Sequence, residues 1–343
     1  MTLLLPAPVL PEPESVPALR WGVIGTGIAD RFVSAIHGHS MQRAVSVTAR
    51  DPERTAAFAA RHGIERVVDS VEALVADPAV DVVYIATPHP LHYDLALSAI
   101  GAGKHVLVEK PIAMNAAEAR EITAAGRAAG VLVMEAMWTR YLPQTDMMHR
   151  VIADGVIGEV RLVTADFGFP MPYLPEHRLW NPALGGGALL DAGVYPIAFA
   201  SSVLGAPVRV LAEGETGPGG VDVRADLLLT YDGGARSLLS TSLQAALPAR
   251  ASVAGTAGRI DIGAPFFGPS SITVSLGAFV PSETITWSDN RFAVVHDGLS
   301  YQATALASYV AEARTESPLH PHAEIIGVME VIDTARETIS GSA

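Results

Sequence analysis

The sequence predicts an α/β plus α+β fold: a doubly wound parallel sheet comes first, and a domain built on a large open, mostly antiparallel sheet follows. A chain of 343 residues is longer than one hydrophobic core usually serves, which favours two domains. In the first part, strand and helix patterns alternate, and the strands are apolar throughout, as in a parallel sheet covered on both faces. In the second part, several strand patterns follow one another, separated by turns such as "DGG" and "AGTAG".

The regular alternation starts at Leu19. Strands are predicted at "LRWGVIG", "RAVSVTA", "RVVD", "VDVVYIAT", "HVLVEK" and "VLVMEAMW", with helices between them. Gly63 is a natural stop for the helix "PERTAAFAARHG", and Ser70 opens the next helix. Residues 1–18 are apolar but broken by prolines, so we expect a floppy or extended arm, with a partner subunit as one surface for it to pack on.

After about Tyr141 the pattern changes. A helix over 144–154 leads into the strand "EVRLVTADFGF", and another helix is predicted over 188–204. Further strands are predicted at 207–214, 221–231, 235–246, 250–255, 259–263, 271–276 and 283–287, and two last helices at 301–315 and 323–340. The chain therefore divides into a Pro-rich arm (1–18), a first domain (19–140) and a second domain (141–343).

Composition excludes several classes of function. The 23 basic and 36 acidic residues give a net charge of −13 without a basic block, which argues against nucleic acid as a partner. The chain has no cysteine, so disulfides, thiol catalysis and thiolate metal sites are excluded. We see no stretch of about 18 apolar residues and no basic segment ahead of the apolar N-terminus, so we expect no membrane span, no secretory signal and a cytoplasmic protein.

Histidines do not form a recognisable metal site. His89 and His92 make an H-x-x-H pair, but no further ligand lies at a telling spacing, and we expect no metal. His320 and His322 lie in a proline-bounded segment, where we expect them to be exposed.

A glycine turn joins the first strand to the first helix. In "WGVIGTGIADRF", Gly25 and Gly27 allow a tight turn and let backbone amides approach a pyrophosphate at the helix N-terminus; an ordinary tight turn is the alternative. Asp30 stands where the usual pattern has a small residue, and Ala29 is small one place earlier, so we expect a turn one residue shorter than usual. The residues assigned to the dinucleotide here are Gly25, Thr26, Gly27, Ile28 and Ala29.

The end of the second strand, "TARDPER", bears on the choice of cofactor. An acidic residue at this position hydrogen-bonds the ribose 2′-hydroxyl of NAD, whereas an arginine pairs with the 2′-phosphate of NADP. Arg50 comes first and Asp51 follows it, so we favour NADP and keep NAD as the alternative. Arg50 as a solvated loop residue is the structural alternative.

Longer motifs resemble a known family. "IATPHPLHYDLALSAIGAGKHVLVEKPIAMNAAEARE" is similar to the core of the Gfo/Idh/MocA oxidoreductases, which pair an N-terminal Rossmann domain with a C-terminal α/β domain on a large open sheet. "VLVMEAMWTRYLP" and "GGGALLDAGVYPIAF" resemble the branch that holds dimeric dihydrodiol dehydrogenase and NADP-dependent D-xylose dehydrogenase. Many family members carry histidine where this chain has Tyr195, and the tyrosine is typical of that branch.

The resemblance implies a catalytic set. Parallel strands point their carboxyl ends at the ligand crevice, so Lys110 is expected beside the nicotinamide, and Pro111 is expected to be cis. Asp191 and Tyr195 are spaced to face one side of a predicted helix. We expect Tyr195 to exchange the substrate proton, with Lys110 lowering its pKa and Asp191 orienting substrate or lysine. The alternatives are a surface lysine and a tyrosine packed in the core.

Further residues follow from the same resemblance or from their place in the chain, with loop structure, packing between the domains or core packing as the alternatives. The cofactor set adds Thr87, Pro88, His89, His92, Glu109, Lys110, Trp138 and Arg140. The substrate set is Trp138, Phe167, Arg178, Trp180, Asp191 and Tyr195. We assign Glu109 to structure or cofactor placement, not to proton transfer.

The predicted function is NADP-dependent hydride transfer at a carbinol or carbonyl of a sugar, a sugar derivative or a trans-dihydrodiol. One alternative is an NAD-dependent inositol or glycoside 3-dehydrogenase, although the histidine common in inositol dehydrogenases is absent. An alternative of another class is a non-catalytic NADP-binding sensor. The family design also implies a homodimer formed through the C-terminal sheet.

Overall fold

The structure is a computed structural model that describes residues 3–278 and 280–341. Its residues fall into two compact units. One comprises Leu10–Trp138 and Ala293–Ile325, and the other comprises Thr139–Phe292 with the described ends of the chain, 3–9 and 326–341. Residues 293–325 thus group with the first part of the chain, whereas the sequence-based division assigns them to the second domain.

The first unit is built on a six-stranded parallel sheet, as predicted. Its strand order is β3-β2-β1-β4-β5-β6, so the order reverses between β1 and β4. The strands are β1 (Arg20–Ile24), β2 (Arg43–Thr48), β3 (Arg66–Val67), β4 (Val82–Ile85), β5 (His105–Val108) and β6 (Val133–Glu135). The helices between them are α1 (Ala29–His39), α2 (Pro52–His62), α3 (Val71–Val75), α4 (His92–Gly101) and α5 (Ala116–Ala129).

Local sequence signals set the ends of these helices. Asp51, Ser70 and Asn115 each accept a backbone N–H as the N-cap of α2, α3 and α5. Gly63 and Gly130 follow α2 and α5 with φ of 66° and 68°, the left-handed conformation that favours glycine. The predicted start at Ser70 and stop at Gly63 are both confirmed.

The second unit is built on an eight-stranded sheet in the order β14-β13-β12-β11-β7-β10-β9-β8. All its neighbours are antiparallel except β7 and β10, which run parallel. The strands are β7 (Val160–Gly168), β8 (Arg209–Thr216), β9 (Asp222–Thr230), β10 (Arg236–Ser242), β11 (Ala251–Gly255), β12 (Gly258–Ile262), β13 (Ser271–Leu276) and β14 (Glu283–Ser288). The remaining helices are α6 (Pro143–Ala153), α7 (Val194–Leu204), α8 (Leu299–Ala311) and α9 (His322–Gly341).

The two faces of the large sheet differ in exposure. Along β9, Ala225, Leu227 and Leu229 are buried, and the residues between them are only partly buried. On the more open face, Leu211 and Leu238 are 40% and 49% exposed. Leu228 lies beside both in the strand register. One face therefore belongs to the core, and the other carries a half-open row of leucines.

Residues 3–9 of the N-terminal arm pack within the second unit of their own chain. The Leu3 N–H donates to Glu283 at 2.8 Å, and the Val9 N–H donates to Asp146 at 2.9 Å. Arg150 donates to the Ala7 carbonyl at 2.6 Å. These bonds hold residues 3–9 of the arm, and Pro13–Ser15 later in the arm forms a short 3-10 helix. Packing of the arm on a partner subunit stays a prediction.

His320 and His322 are not exposed, contrary to expectation. Both are 1% exposed. The ring of His320 contacts Glu135 at the end of β6, and His322 contacts the Val133 carbonyl in the same strand. The segment before α9 packs against the sheet edge, and this long-range packing has no signature in the local sequence.

One segment has the composition of a membrane span, contrary to the expectation that no such stretch occurs. Pro182–Leu204 reaches a mean hydropathy of 1.4 over 18 residues, but 72% of that window is buried. Burial of this kind is common for the core helix of a globular unit, so the segment is weak evidence for a span.

Candidate active site

The turn after β1 contains two glycines: the fold requires Gly25, and it does not require Gly27. Gly25 has a φ of +100°, and a Cβ there would lie 2.4 Å from the Ala86 carbonyl oxygen. At Gly27, a Cβ would have no described protein atom within 4 Å. The space in front of Gly27 is therefore open to a ligand that approaches the backbone closely.

Helix α1 begins at this turn and leaves its amide end available. Ala29 is its first residue, and no side chain caps its N-terminus at Ile28. Such an end attracts a phosphate. Asp30, which departs from the usual pattern, hydrogen-bonds Arg61, and its Oδ1 lies 2.9 Å from His62 Nε2. The hydrogen bond with His62 lowers the pKa of Asp30, and both partners offset its negative charge.

At the end of β2, Asp51 already has a structural role. Its Oδ1 accepts the Arg54 N–H at 3.0 Å to cap α2. Arg50 is exposed. The Asp51 carboxylate therefore already caps α2, whereas the Arg50 side chain is accessible to a ligand.

Three neighbouring parallel strands deliver the predicted cofactor and catalytic residues. The glycine turn follows β1, Thr87 follows β4, and Lys110 follows β5, and these strands are adjacent in the sheet. Thr87 Oγ1 is buried and has no hydrogen-bonding partner among the described residues. An unsatisfied buried hydroxyl at the carboxyl edge of such a sheet suits a polar ligand.

His92 links two of these loops. Its Nδ1 lies 2.8 Å from the Pro111 carbonyl oxygen and its Nε2 lies 2.9 Å from the Thr87 carbonyl oxygen. Burial lowers its pKa, which favours the neutral ring with one N–H to share between the two acceptors. Both ring nitrogens face backbone carbonyls, so the geometry gives His92 a role in holding loops. His89, also assigned to the cofactor, is buried beside it at a ring distance of 5.7 Å.

The Lys110 turn is anchored through its backbone. The buried Glu109 carboxylate accepts from the Tyr84 hydroxyl and, at 3.2 Å, from the Lys110 N–H. Burial raises the pKa of Glu109, although Tyr84 and Lys110 oppose that shift. The Lys110–Pro111 bond is cis, as the resemblance implies. The acid in "EKP" therefore holds the turn on the sheet, which is one of the two roles considered for it from sequence; its placement of the cofactor stays a prediction.

Trp138 is buried and stacks on a histidine from far along the chain. The rings of Trp138 and His296 are nearly parallel, with centroids 6.1 Å apart. His296 Nε2 lies 2.6 Å from a guanidinium nitrogen of Arg31 in α1. Burial and the Arg31 charge lower the pKa of His296. The predicted cofactor residue Trp138 is thus linked to the helix that starts at the glycine turn. Arg140 is also buried.

In the other unit, Asp191 pairs with Arg178. Arg178 donates from Nη2 to Asp191 Oδ1 at 2.8 Å, so two predicted substrate residues meet. Asp191 is buried, whereas the Arg178 side chain is 44% exposed. Asp191 lies in a π-helical turn, Leu189–Gly193, that runs directly into α7. Such π turns are frequent at functional sites.

The start of this turn is capped by Asp222 from β9. Its Oδ2 accepts the Leu189 N–H at 2.6 Å. A Cβ on Gly187, whose φ is +117°, would lie 2.3 Å from Asp222 Oδ1. Burial raises the pKa of Asp222 to about 6, although its backbone hydrogen bonds oppose the shift. The glycine run therefore admits a carboxylate that holds the segment carrying Asp191.

Tyr195 lies in the first turn of α7 among aromatic rings. Its ring centroid is 5.9 Å from Phe167 in β7 and 4.9 Å from Phe267. All three rings are partly buried. Trp180 is buried, and its indole N–H donates to the Pro172 carbonyl at 2.9 Å, so it holds the preceding loop.

The structure therefore assembles the predicted residues in two groups. The first unit holds the glycine turn, Thr87 and Lys110, and the second holds Asp191 and Tyr195. Convergence of the two groups on one substrate stays a prediction. Sequence reasoning missed Arg31, Glu135, Asp222, Phe267 and His296, which reach their partners from distant segments and carry no local motif.

Comparisons with known proteins identify the family. Residues 19–137 match the family model described as "Oxidoreductase family, NAD-binding Rossmann fold", and residues 145–261 match "GFO/IDH/MocA C-terminal domain". The chain belongs to the Gfo/Idh/MocA oxidoreductases. The predicted Rossmann domain, the larger second sheet and the identification as an enzyme of this family are confirmed.

The individual relatives of this Gfo/Idh/MocA chain are named as dehydrogenases or reductases. A trans-1,2-dihydrobenzene-1,2-diol dehydrogenase of Mus musculus is 36% identical over 94% of this chain and 97% of its own length. A 3-ketoreductase of Actinomadura kijaniata, KijD10, solved with NADP and TDP-benzene, is 28% identical with a TM-score of 0.81, over 93% of this chain and 97% of that one. A levoglucosan dehydrogenase solved with NADH is 21% identical with a TM-score of 0.85, over 95% and 98%, and shows the shared fold alone.

Two glycine substitutions should separate folding from ligand binding. We expect Gly25→Ala to destabilise the Gfo/Idh/MocA chain by about 1–3 kcal/mol or more, because of its positive φ and the clash with Ala86. Gly27→Ala should keep the wild-type melting temperature and weaken NADPH binding about tenfold. Thermal unfolding and NADPH fluorescence titration measure the two effects. Unchanged NADPH affinity in Gly27→Ala would count against pyrophosphate binding at this turn.

Asp222 should make stability depend on pH. Its pKa is raised in the folded protein, so the folded state binds a proton more tightly than the unfolded state. The free energy of unfolding should fall as the pH rises from about 4 to about 6, by at most roughly 3 kcal/mol from this group, and then level off. In Asp222→Asn this contribution is absent. Parallel pH profiles of the unfolding midpoint for the two proteins test it, and superimposable profiles would contradict the assignment.

Proposed function

We propose that this chain is an NADP-dependent oxidoreductase that transfers hydride between the cofactor and a carbinol or carbonyl of a sugar, sugar derivative or trans-dihydrodiol. The observation that carries the proposal is the edge formed by β1, β4 and β5. There the open glycine turn, the unsatisfied Thr87 hydroxyl and the anchored Lys110 turn follow adjacent strands. A dinucleotide site and a catalytic amine on one sheet edge suit hydride-transfer chemistry.

The residues at this edge fit a dinucleotide. The uncapped start of α1 and the space in front of Gly27 would receive the pyrophosphate, and the Thr87 hydroxyl would bond the nicotinamide end. NADP is proposed over NAD because Arg50 is accessible and Asp51 caps α2. The NADP-bound ketoreductase supports this choice only through its likeness to the chain.

Replacing Arg50 tests the cofactor preference. We expect Arg50→Ala to weaken NADPH binding at least tenfold and to leave NADH binding within about twofold, because only NADPH carries the 2′-phosphate. Arg54→Ala, which removes another exposed arginine nearby, should change neither affinity by that much. Fluorescence titration with both cofactors measures this. Equal losses for NADH and NADPH would contradict 2′-phosphate recognition by Arg50.

The proton chemistry is proposed for the chain's own side chains. The cofactor, when bound, supplies or accepts the hydride. The Tyr195 phenol exchanges the proton of the substrate oxygen, and the Lys110 ammonium stabilises the phenolate and polarises that oxygen. Asp191, held by Arg178, orients the substrate hydroxyl. Crystal structures of the ketoreductase include a lysine-to-alanine and a tyrosine-to-phenylalanine variant, the same residue types on which this proposal rests.

The substrate class is proposed from the aromatic side chains around Tyr195 in the second unit. Phe167 and Phe267 place aromatic surfaces beside Tyr195, which suits the apolar face of a sugar ring or a cyclohexadiene diol. A panel of aldoses, keto-sugars, inositols and trans-dihydrodiols, followed by NADPH absorbance with both cofactors, decides the matter. Preferred oxidation of inositol or a glycoside with NAD would favour that alternative. Cofactor binding without turnover of any member would favour a sensor.

Assembly and location complete the proposal. We propose a homodimer through the large sheet, because its open face exposes Leu211 and Leu238 beside Leu228. Light scattering coupled to size exclusion should give twice the mass of one chain, and a monomer would refute the proposed dimer.

We also propose a cytoplasmic location, which fractionation of the source cells tests.

A further inference from the structure

A buried carboxylate lies behind the Lys110 turn, in addition to Glu109. Glu135, the last residue of β6, is 1% exposed. Its Oε1 accepts the Ile112 N–H at 2.8 Å, directly after the Lys110–Pro111 peptide. Because β6 neighbours β5 in the sheet, this bond ties the far side of the turn to a second strand.

The other oxygen of Glu135 is bound by a histidine from a distant segment. His320 donates from Nε2 to Glu135 Oε2 at 2.8 Å, and its Nδ1 lies 3.6 Å from Glu324 Oε2 in α9. Burial alone would lower the pKa of His320, but Glu135 and Glu324 raise it above its ordinary value. The two carboxylates therefore favour the protonated ring, in which the bond to Glu135 is charge-assisted.

Each part of this chain of contacts limits the motion of the next. The His320 ring holds Oε2 of Glu135, which leaves Oε1 directed at the Ile112 N–H. On its other side, the turn is held by His92 through the Pro111 carbonyl. Removal of Glu135 would leave the Ile112 N–H and the His320 ring buried without their acceptor, at a cost of about 1–3 kcal/mol for the neutral group alone.

We infer that Glu135 and His320 are positioning residues for Lys110: through the Ile112 N–H they fix the backbone that aims its ammonium at the substrate oxygen. The inference rests on the proposed function for the role of Lys110. Misplacement of a reacting group by about 1 Å can lower a rate by about 10²-fold, so a contact behind the turn can affect turnover without touching the substrate.

Lysine NMR provides a readout that does not depend on turnover. The chain has only two lysines, Lys104 and Lys110, so [ε-¹³C]lysine labelling gives two signals. Lys104→Arg assigns them, because Lys104 bonds the carbonyls of Asp77 and Val80, away from the turn. The Lys110 signal and its titration would report the surroundings of the ammonium in each variant.

The test compares Glu135→Leu with Asp77→Leu, which removes another buried carboxylate from the same unit. We expect Glu135→Leu to shift the Lys110 signal and lower kcat about 10²-fold, with the NADPH Kd within about threefold. Asp77→Leu should lower stability without either effect. His320→Gln should give an intermediate loss, and Glu135→Gln should recover most of kcat, because the amide oxygen still accepts the Ile112 N–H.

The outcomes separate this inference from the proposed function. A folded Glu135→Leu protein with an unshifted Lys110 signal and wild-type kcat overturns the inference. If Glu135→Leu does not fold, a folded His320→Gln protein with an unshifted Lys110 signal and wild-type kcat overturns the inference equally. If the Lys110 signal shifts but no substrate is turned over by the wild type, the positioning holds and the proposed function fails.

Discussion

Lys110→Met should abolish turnover while the enzyme still binds NADPH. Methionine matches the length and apolar stem of lysine but has no charge, so it removes the ammonium with little change in packing. The turn itself is held through the Lys110 N–H, the Pro111 carbonyl and the Ile112 N–H, none of which needs the lysine side chain. We expect kcat to fall by about 10³-fold or more, in the range of a lost charge-stabilising group combined with impaired proton transfer.

Lys104→Met is the matched control for this substitution. Lys104 precedes β5 and Lys110 follows it, so the two lysines flank one strand at its opposite ends. The Lys104 ammonium bonds the carbonyls of Asp77 and Val80, and its loss should lower thermal stability with kcat within about threefold of wild type. Steady-state rates and NADPH titrations on both variants are the measurements. Near-normal turnover by Lys110→Met would remove the central residue of the mechanism.

The parallel sheet was predictable because its signals are local. An apolar run between a glycine turn and an amphipathic segment defines each strand, and caps such as Ser70 and Gly63 mark the helix ends within a few residues. For the second sheet, the number of strands was predicted, and their bounds were nearly correct. Its strand order was not predicted, because the parallel pairing of β7 with β10 joins segments far apart in sequence.

The site was predictable only where a motif lies on one segment. The glycine turn, Thr87 and Lys110 each follow a strand, which places them at the carboxyl edge of the sheet, and the family resemblance implied the roles of Thr87 and Lys110. The partners of the Lys110 turn and of the Asp191 segment could not be predicted, since Glu135 meets His320 and Asp222 meets Leu189 only through the fold. His320 was expected to be exposed because its neighbours are prolines, and a local pattern cannot indicate a buried carboxylate partner.

The π-helical turn is another feature that the sequence pattern did not predict. The sequence from Ala188 to Leu204 predicts one continuous helix, whereas the structure has the turn Leu189–Gly193 before α7. A π turn changes which neighbours share a face, so the spacing of Asp191 and Tyr195 alone does not fix their relative direction. The pairing of Asp191 with Arg178 and the aromatic contacts of Tyr195 are what the structure adds.

Tyr195→Phe should lower kcat by at least about 10²-fold, the usual scale of a general acid–base contribution. The change removes one oxygen and keeps the ring, so the contacts with Phe167 and Phe267 remain and the melting temperature should stay near that of the wild type. NADPH binding should be unchanged, because the phenol is proposed to act on the substrate oxygen.

Tyr231→Phe is the control for the loss of a tyrosine hydroxyl. That hydroxyl is buried in the same unit and lies 3.2 Å from Ser237 Oγ, so its loss should affect stability and spare turnover. The pH dependence of kcat adds a second readout, because loss of a general acid–base group should change that profile. If Tyr195→Phe retains the wild-type rate and pH profile, proton exchange must be assigned to another group, and the distinction between tyrosine and histidine at this position loses its chemical meaning.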